Sequence, residues 1–485
     1  MRVPRKILIP AIAGGLGLVA HRQWSRRGVR QQRTAQLVGL GARSGQAWAL
    51  HRARRLFADA ERRTELDTAF ELRTAEQVAA TLGNMKGAMM KIGQMASYLD
   101  AALPEPVRDA LADLQQDAPP MSGELAAEVV TAELGLAPEQ LFAEWDPVPI
   151  AAASIGQVHR AITTDGRAVA VKVQYPGISE AIAADLDNAG LLFAGLGMLY
   201  PGLEPGPLVD ELRARVLEEL DYRIEAAHQR EFADFYRDHP FLHVPEVLDE
   251  LSTRRVLTTE LATGARFDEV VTWSQAERDL AGEAIFRFVF RGLYRLHNFN
   301  GDPQPGNYLF RPGGQVTFLD FGLCKRFDKA EVQVFSEMVQ AMVIERDIAR
   351  FRSVVEEVGL LAPGLPFTDD QVEDYFGHFY DFIKESKTLT MTEEFASETV
   401  RRMFDAGGAH ADITKAANVP PSFVIIQRIN LGLYALLGRL EATANWREIA
   451  EELWPFVDGP PSTDLGRAEQ EWLATRPSME TSPDS

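Results

Sequence analysis

Gly301-Asp302-Pro303-Gln304-Pro305-Gly306-Asn307, followed a short hairpin later by Asp320-Phe321-Gly322, decides how this chain folds. An acid, an amide five residues on, and a second acid opening Asp-Phe-Gly are oxygen donors in the order that holds Mg²⁺ on a nucleotide and orients a nucleophile. Between them, Tyr308-Leu309-Phe310 and Val316-Thr317-Phe318-Leu319 predict two strands around a Pro312-Gly313-Gly314 turn. Such a hairpin brings Asn307 and Asp320 side by side. Both then reach one metal, because Mg²⁺ prefers oxygen ligands and draws only one or two carboxylates from protein, with phosphates and water supplying the rest. Upstream, Glu277 to His297 carries Leu280, Ala284, Ile285, Phe288 and Leu296 at helical spacing, so a buried helix delivers the loop. Asp-Phe-Gly alone is no more than a strand ending in a turn; the ordered pair carries the inference.

At 485 residues the chain has room for two or three domains at roughly 150 residues each. Its 46% hydrophobic and 25% charged residues suit a large globular core. No window of about 20 uninterrupted apolar residues marks a membrane span. The single cysteine, Cys324, excludes an intrachain disulfide, fits a reducing compartment and reads as a small buried hydrophobe.

The net charge of −20 conceals an asymmetry: residues 1–63 hold 14 Lys/Arg against Asp59 and Glu61, a balance of +12, which leaves −32 for the rest. One end of the molecule is built to meet anionic surfaces. Nucleic acid is not expected as a partner, because the acidic body repels phosphates and no nucleic-acid motif is present. Ile7 to Ala20 is an apolar run of 14 residues broken by Pro10 and three glycines. It is too short to span a bilayer, but its flanking arginines and Trp24 suit an anionic membrane interface. The alternative is a basic segment with no role.

Further along, Val78, Leu82, Met85, Met89, Ile92 and Met95 recur at helical spacing on a helix that also carries Lys91-Ile92-Gly93-Gln94. A Met stripe at that period is ordinarily core. A second helix is expected from Glu124 to Leu134. Ala151-Ala152-Ala153-Ser154-Ile155-Gly156 then leads through Gln157-Val158-His159-Arg160-Ala161 and a Thr164–Arg167 turn to Ala168-Val169-Ala170-Val171-Lys172-Val173. A lysine inside an apolar strand is costly without a partner, so Lys172 is expected to face anionic groups. The segment reads as phosphate loop, hairpin and phosphate lysine, with one glycine in the loop. Ile178 to Tyr200 reads as an apolar helix. Leu208 to Phe235 reads as another, carrying Glu219, Asp221 and Glu225, one of which pairs with Lys172. Strands are expected at Val244–Leu248 and Arg255–Leu261, with a hinge at Thr263-Gly264. Helices follow Asp320-Phe321-Gly322 to about Phe456, and residues 458–485 read as disordered.

Together these motifs resemble the UbiB/AarF (ADCK) atypical kinase family, over about Thr74 to Phe456. Four signatures stand in the family's order: Lys91-x-Gly93-Gln94, the alanine-rich loop Ala151–Gly156, the Glu219-x-Asp221 helix, and Asp302…Asn307 with Asp320-Phe321-Gly322. The resemblance implies an α+β, protein-kinase-like two-lobe fold, with a small β-rich N-lobe, a helical C-lobe and an N-terminal helical extension. The corresponding division is a basic arm at 1–63, the extension at 64–145, the N-lobe at 146–264, the C-lobe at 265–457 and a tail at 458–485.

By the same resemblance the cofactors are ATP and Mg²⁺. Ala151, Ala152, Ala153, Ser154 and Gly156 would line the nucleotide, Lys172 would contact its phosphates, Asp302 would be the catalytic acid-base, and Asn307 and Asp320 would bind Mg²⁺. Lys91 and Gln94 would sit on a helix folded over the substrate cleft, with Lys91 reaching Glu219 and Asp221. Glu225 would partner Lys172, although the i,i+4 spacing of Asp221 and Glu225 keeps both in play. Two family histidines are replaced, by Asn300 and Gln304. The implied role is an atypical kinase or ATPase in isoprenoid-quinone or membrane-lipid metabolism, cytoplasmic and peripheral at the membrane's inner face, with isoprenoid lipid or quinone-biosynthesis proteins as partners. A kinase acting on a small-molecule or protein hydroxyl, and a pseudokinase scaffold, are the alternatives.

Overall fold

The computed structural model describes residues 121–153, 155–179, 218–300, 303–404, 410–418 and 420–476. The basic arm, Lys91, Gln94, Ser154, Asp302, most of the apolar 178–200 segment and the chain beyond 476 lie outside them. The described residues group into two units, one of 121–125, 152–157, 174–179 and 218–220, the other of 126–151, 158–173 and 221–476.

Helix α1 (Gly123–Leu134) falls where expected and buries Ala126, Val129 and Val130. Strands β1 (Phe142–Ala153), β2 (Gly156–Thr163), β3 (Ala168–Gln174) and β5 (Val256–Glu260) form a four-stranded sheet in the order β1-β2-β3-β5. Of the alanine-rich segment, Ala151, Ala152 and Ala153 therefore end one strand and Gly156 opens the next, rather than lying in a free loop. Trp145 stacks on His159 at 4.7 Å and the Asp146 carbonyl meets His159 Nδ1 at 2.8 Å, which ties β1 to β2. Gly166, at φ 88°, closes the turn into β3. Along β3, Val169, Val171 and Val173 are fully buried while Lys172 takes the other face, opposite Leu257 of β5.

The expected helix from Leu208 to Phe235 is broken. A helical turn at Glu218–Glu219 ends at Leu220, and α2 (Tyr222–Phe235) starts afresh with Asp221 as its N-cap, accepting from the Arg223 N–H. The cap explains the break: a short carboxylate competes with helix continuation by bonding its own backbone two residues on. Beyond it lie β4 (Leu242–His243) and an isolated bridge from Val247 to Thr259, in place of one strand over Val244–Leu248. The Thr263-Gly264 hinge is instead stitched to the next hairpin. Arg311 donates to the Thr263 carbonyl at 3.1 Å, and a Cβ at Gly264 would meet the Phe310 carbonyl at 2.8 Å.

Helix α3 (Gln275–Arg291) is capped by Ser274 and continues as a π turn over Gly292–Leu296. His297 in the left-handed region ends it (φ 50°). Strand β6 (Asn298–Asn300) then pairs antiparallel with β9 (Cys324–Arg326). Strands β7 (Tyr308–Arg311) and β8 (Gln315–Phe318) form the predicted hairpin, with Gly313 and Gly314 at φ 81° and 74°, and β8 also takes β4 in parallel. Stacked rings join α3 to this hairpin: Phe288 lies 3.5 Å from Phe318, centroid to centroid.

The helical part continues with α4 (Lys329–Val339), α5 (Ile348–Glu357), α6 (Asp369–Phe376), α7 (Glu393–Phe404), α8 (Pro421–Leu440) and α9 (Trp446–Leu453). Val332, Phe335, Met338 and Val339 of α4 are buried as their spacing predicts. The 458–485 segment departs from the expected disorder, since Asp464–Ala474 is a helix, α10, capped by Thr463. Its Leu465, Glu469 and Trp472 are buried, and Glu469 bonds Arg287 and Arg291 of α3. Polar composition hid an apolar stripe and one internal counter-ion.

Candidate functional site

The site is assembled by three backbone devices. The first is β3, which carries Lys172 on the face opposite its buried valines. The second is α2, whose Asp221 cap fixes the start of the helix so that Glu225, one turn in and only 6% exposed, meets that lysine. Lys172 Nζ donates to Glu225 Oε1 at 2.8 Å and Oε2 at 3.0 Å, and the Tyr222 ring lies 5.1 Å away. The third is the segment following β8, which brings Asp320 to the same ammonium at 3.2 Å. Burial alone would push the Lys172 ammonium down, but Asp320, Glu225 and Tyr222 overcome it and hold it well above the usual lysine range. It is therefore a fixed positive charge.

The choice of acid is thus Glu225. Asp221 does not share its face: as the cap it turns to Arg223, whose Nε reaches Asp221 Oδ1 at 2.8 Å, and hydrogen bonds from that guanidinium hold the carboxyl below its usual range. An i,i+4 argument fails when the first residue is outside the helix.

Asp320 is held from three sides. Its Oδ1 accepts from the Gly322 N–H at 2.9 Å, its carbonyl accepts from Asn300 Nδ2 at 2.8 Å, and Phe321 beside it is fully buried against Phe232, 5.1 Å between centroids. A Cβ at Gly322 would stand 3.2 Å from Asp320 Oδ1, so the glycine lets the turn close on the carboxylate. Asn300, which stands where the family resemblance expects a histidine, thus supplies a donor to the Asp320 backbone.

Asn307 ends a 3-10 turn over Pro305–Asn307 and accepts from the Leu319 N–H at 3.0 Å. That bond puts Asn307 alongside the residue before Asp320, as the hairpin predicts. The pair are hard oxygen donors, and among the described residues no group of three His, Cys, Asp or Glu could hold a metal alone. Oxygen donors of this kind are the ones that Mg²⁺ prefers. Cys324 is buried, its thiol pushed well up by burial and by Asp320 and Glu225, so it serves packing.

Sequence reasoning missed the backing of the loop. Gly432 of α8 lies so close to Pro303 that any Cβ there would collide with the proline ring, its Cβ at 3.1 Å. A glycine in the interior of a helix was the available signal.

A family model for the "ABC1 atypical kinase-like domain" matches residues 113–355. Atypical kinase COQ8B, mitochondrial, of Rattus norvegicus is 37% identical over 55% of this chain and 51% of its own length. Atypical kinase coq-8, mitochondrial, of Caenorhabditis elegans is 28% identical over 81% of this chain and 52% of its own. The chain thus spans about half the length of these curated relatives. A structure of Rv3197 from Mycobacterium tuberculosis, in complex with erythromycin, superposes with a TM-score of 0.61 at 31% identity, over 82% of this chain and all of that one. With its kinase-like mixed fold and the match over 113–355, the chain belongs to the ABC1 (UbiB/AarF) atypical kinase family.

Proposed function

We propose that this atypical kinase binds Mg·ATP and transfers or hydrolyses its terminal phosphate in support of isoprenoid-quinone or other membrane-lipid metabolism. The observation that carries the reading is Lys172 bonded to both Glu225 and Asp320, with Asn307 tied to the strand that delivers Asp320. A bound Mg²⁺ would supply neutralisation of the charge developing on the transferred group. Asn307 and Asp320 would hold it. Lys172 would meet the α/β-phosphates in exchange for part of its contact with Asp320, while Glu225 keeps it aimed. Asp302 would accept the proton from the attacking hydroxyl or water. Ala151, Ala152, Ala153, Ser154 and Gly156 would lie over the nucleotide, and Lys91 and Gln94 would cap the cleft.

The quinone reading rests on the family and on relatives named for the COQ8 proteins. The anionic inner face of a membrane as the working place rests on the +12 balance of residues 1–63. Phosphate release measured on wild type and Asp302→Asn, with and without Mg²⁺, anionic liposomes and a quinone-precursor mimic, tests the assignment. Loss of about 10²-fold or more in the variant is expected for a proton-accepting carboxylate. Equal turnover in the two proteins would remove Asp302 from the chemistry.

A further inference from the structure

We propose that the helical part of the protein contains a ligand site away from Lys172, for a compact, uncharged, ring-sized molecule carrying one hydrogen-bond donor. A pocket of about 80 Å³ lies among α3, the π turn after it, α4, α8 and α9. Phe286, Phe290, Tyr294, Phe335, Phe382 and Tyr434 are among the aromatic side chains of its wall, and no charged side chain lines it. That volume corresponds to about half a dozen water positions, yet an aromatic lining offers water few partners. Rigid rings also resist collapse into the space. Charged molecules are excluded, since nothing on the wall would compensate their loss of hydration.

The polar groups in the wall select the ligand further. Tyr434 already donates its hydroxyl to the Phe379 carbonyl at 3.0 Å. Asn430 lines the pocket, and its Oδ1 is buried with no hydrogen-bond partner among the described residues. Buried side-chain oxygens are nearly always satisfied, so a lone one beside a largely aromatic pocket points to a donor brought by an occupant. The position is also connected to the site above. Leu293 and Tyr294 of the wall lie in the π turn that leads into Asn300, and Gly432, two residues after Asn430, backs Pro303. Occupancy itself does not depend on the nucleotide reading.

The test uses the full chain with two probes of one shape, cyclopentanol and cyclopentanone, followed by saturation-transfer NMR and thermal shift in the presence and absence of each. Only the alcohol can donate. Binding of cyclopentanol about tenfold tighter than the ketone is expected, the worth of one hydrogen bond to a buried amide oxygen. Asn430→Leu should abolish that preference while leaving weak binding of both, and Ala450→Leu, which fills the pocket, should abolish binding of both. Absence of binding to the wild type, equal affinity for the two probes, or a preference that survives in Asn430→Leu would overturn the proposal. Should Ala450→Leu fail to fold, the Asn430→Leu comparison decides by itself.

Discussion

At Lys172 two carboxylates share one ammonium, and their roles separate by burial. Glu225 is nearly enclosed, at 6% exposure, and makes both shorter bonds, whereas Asp320 is about one-third exposed. Glu225→Gln should therefore cost about 1–3 kcal/mol of stability, the range for an imperfectly satisfied buried group, and lower ATP turnover at least tenfold. Asp221→Ala should cost about 0.5–2 kcal/mol, as for a lost N-cap, with turnover within twofold of wild type. Denaturation and initial rates on the two variants check this; a larger rate loss in Asp221→Ala than in Glu225→Gln would reverse the assignment. From sequence, the approach of Asn307 to the segment carrying Asp320 was legible, because a short hairpin between them fixes their separation, and a lysine in an apolar strand called for the acids that it meets. Spacing alone left the partner of Lys172 open, while the family resemblance favoured Glu225, because the choice depended on whether Asp221 continues a helix or starts one, a matter of backbone geometry that spacing does not encode.

Among the elements, α10 is the one composition concealed. Arg287 is fully buried and bonds Glu283 at 2.7 Å, Glu452 at 2.8 Å and Glu469 at 3.0 Å, while Arg291 bonds Glu469 at 2.9 Å. Trp472 meets the His239 ring edge-on at 4.4 Å. Glu469→Gln leaves two buried guanidinium groups undercompensated and should cost about 3–5 kcal/mol, measured by chemical denaturation. A cost below 1 kcal/mol would show the cluster to be incidental.

The cluster is also acid-sensitive. Burial acts to raise the Glu469 carboxyl, but Arg291, His239 and Arg287 outweigh it and hold it far below the usual carboxylate range; burial likewise holds the His239 imidazole down. A depressed folded value in either group gives stability that is present above the unfolded value, about 6.5 for His and 4.3 for Glu, and is lost as pH falls below it. Glu283 runs the other way, its carboxyl pushed up by burial, and offsets part of this. Hydrogen exchange over residues 464–474 should therefore show weaker protection at pH 5 than at pH 7, after correction for intrinsic rates. Unchanged protection would separate α10 from these ionisations. The β7–β8 hairpin and α4 were readable because alternation, turn residues and helical spacing act locally, whereas α10 depends on counter-ions about 180 residues away in sequence.

For the whole molecule, charge is distributed against the mean: a basic first stretch on an acidic body. Among the described residues no helix is long and apolar enough to cross a membrane. If residues 1–63 supply the attraction to anionic lipid, at up to roughly 1 kcal/mol per basic residue near the surface, sedimentation with anionic vesicles should weaken steeply with salt and vanish on their deletion. Equal sedimentation of the truncated chain would place the membrane contact elsewhere. The catalytic reading stands apart from that question, because it rests on Lys172, Glu225, Asn307 and Asp320. Its most direct test is a thermal-shift and denaturation series with Mg·ATP on wild type and Asp320→Asn. At a hundredfold excess over Kd, wild type should gain about 2.7 kcal/mol. The variant should gain little, because Asp320 is the carboxylate proposed to hold the metal. Equal stabilisation of both proteins, or none in the wild type, would contradict the account.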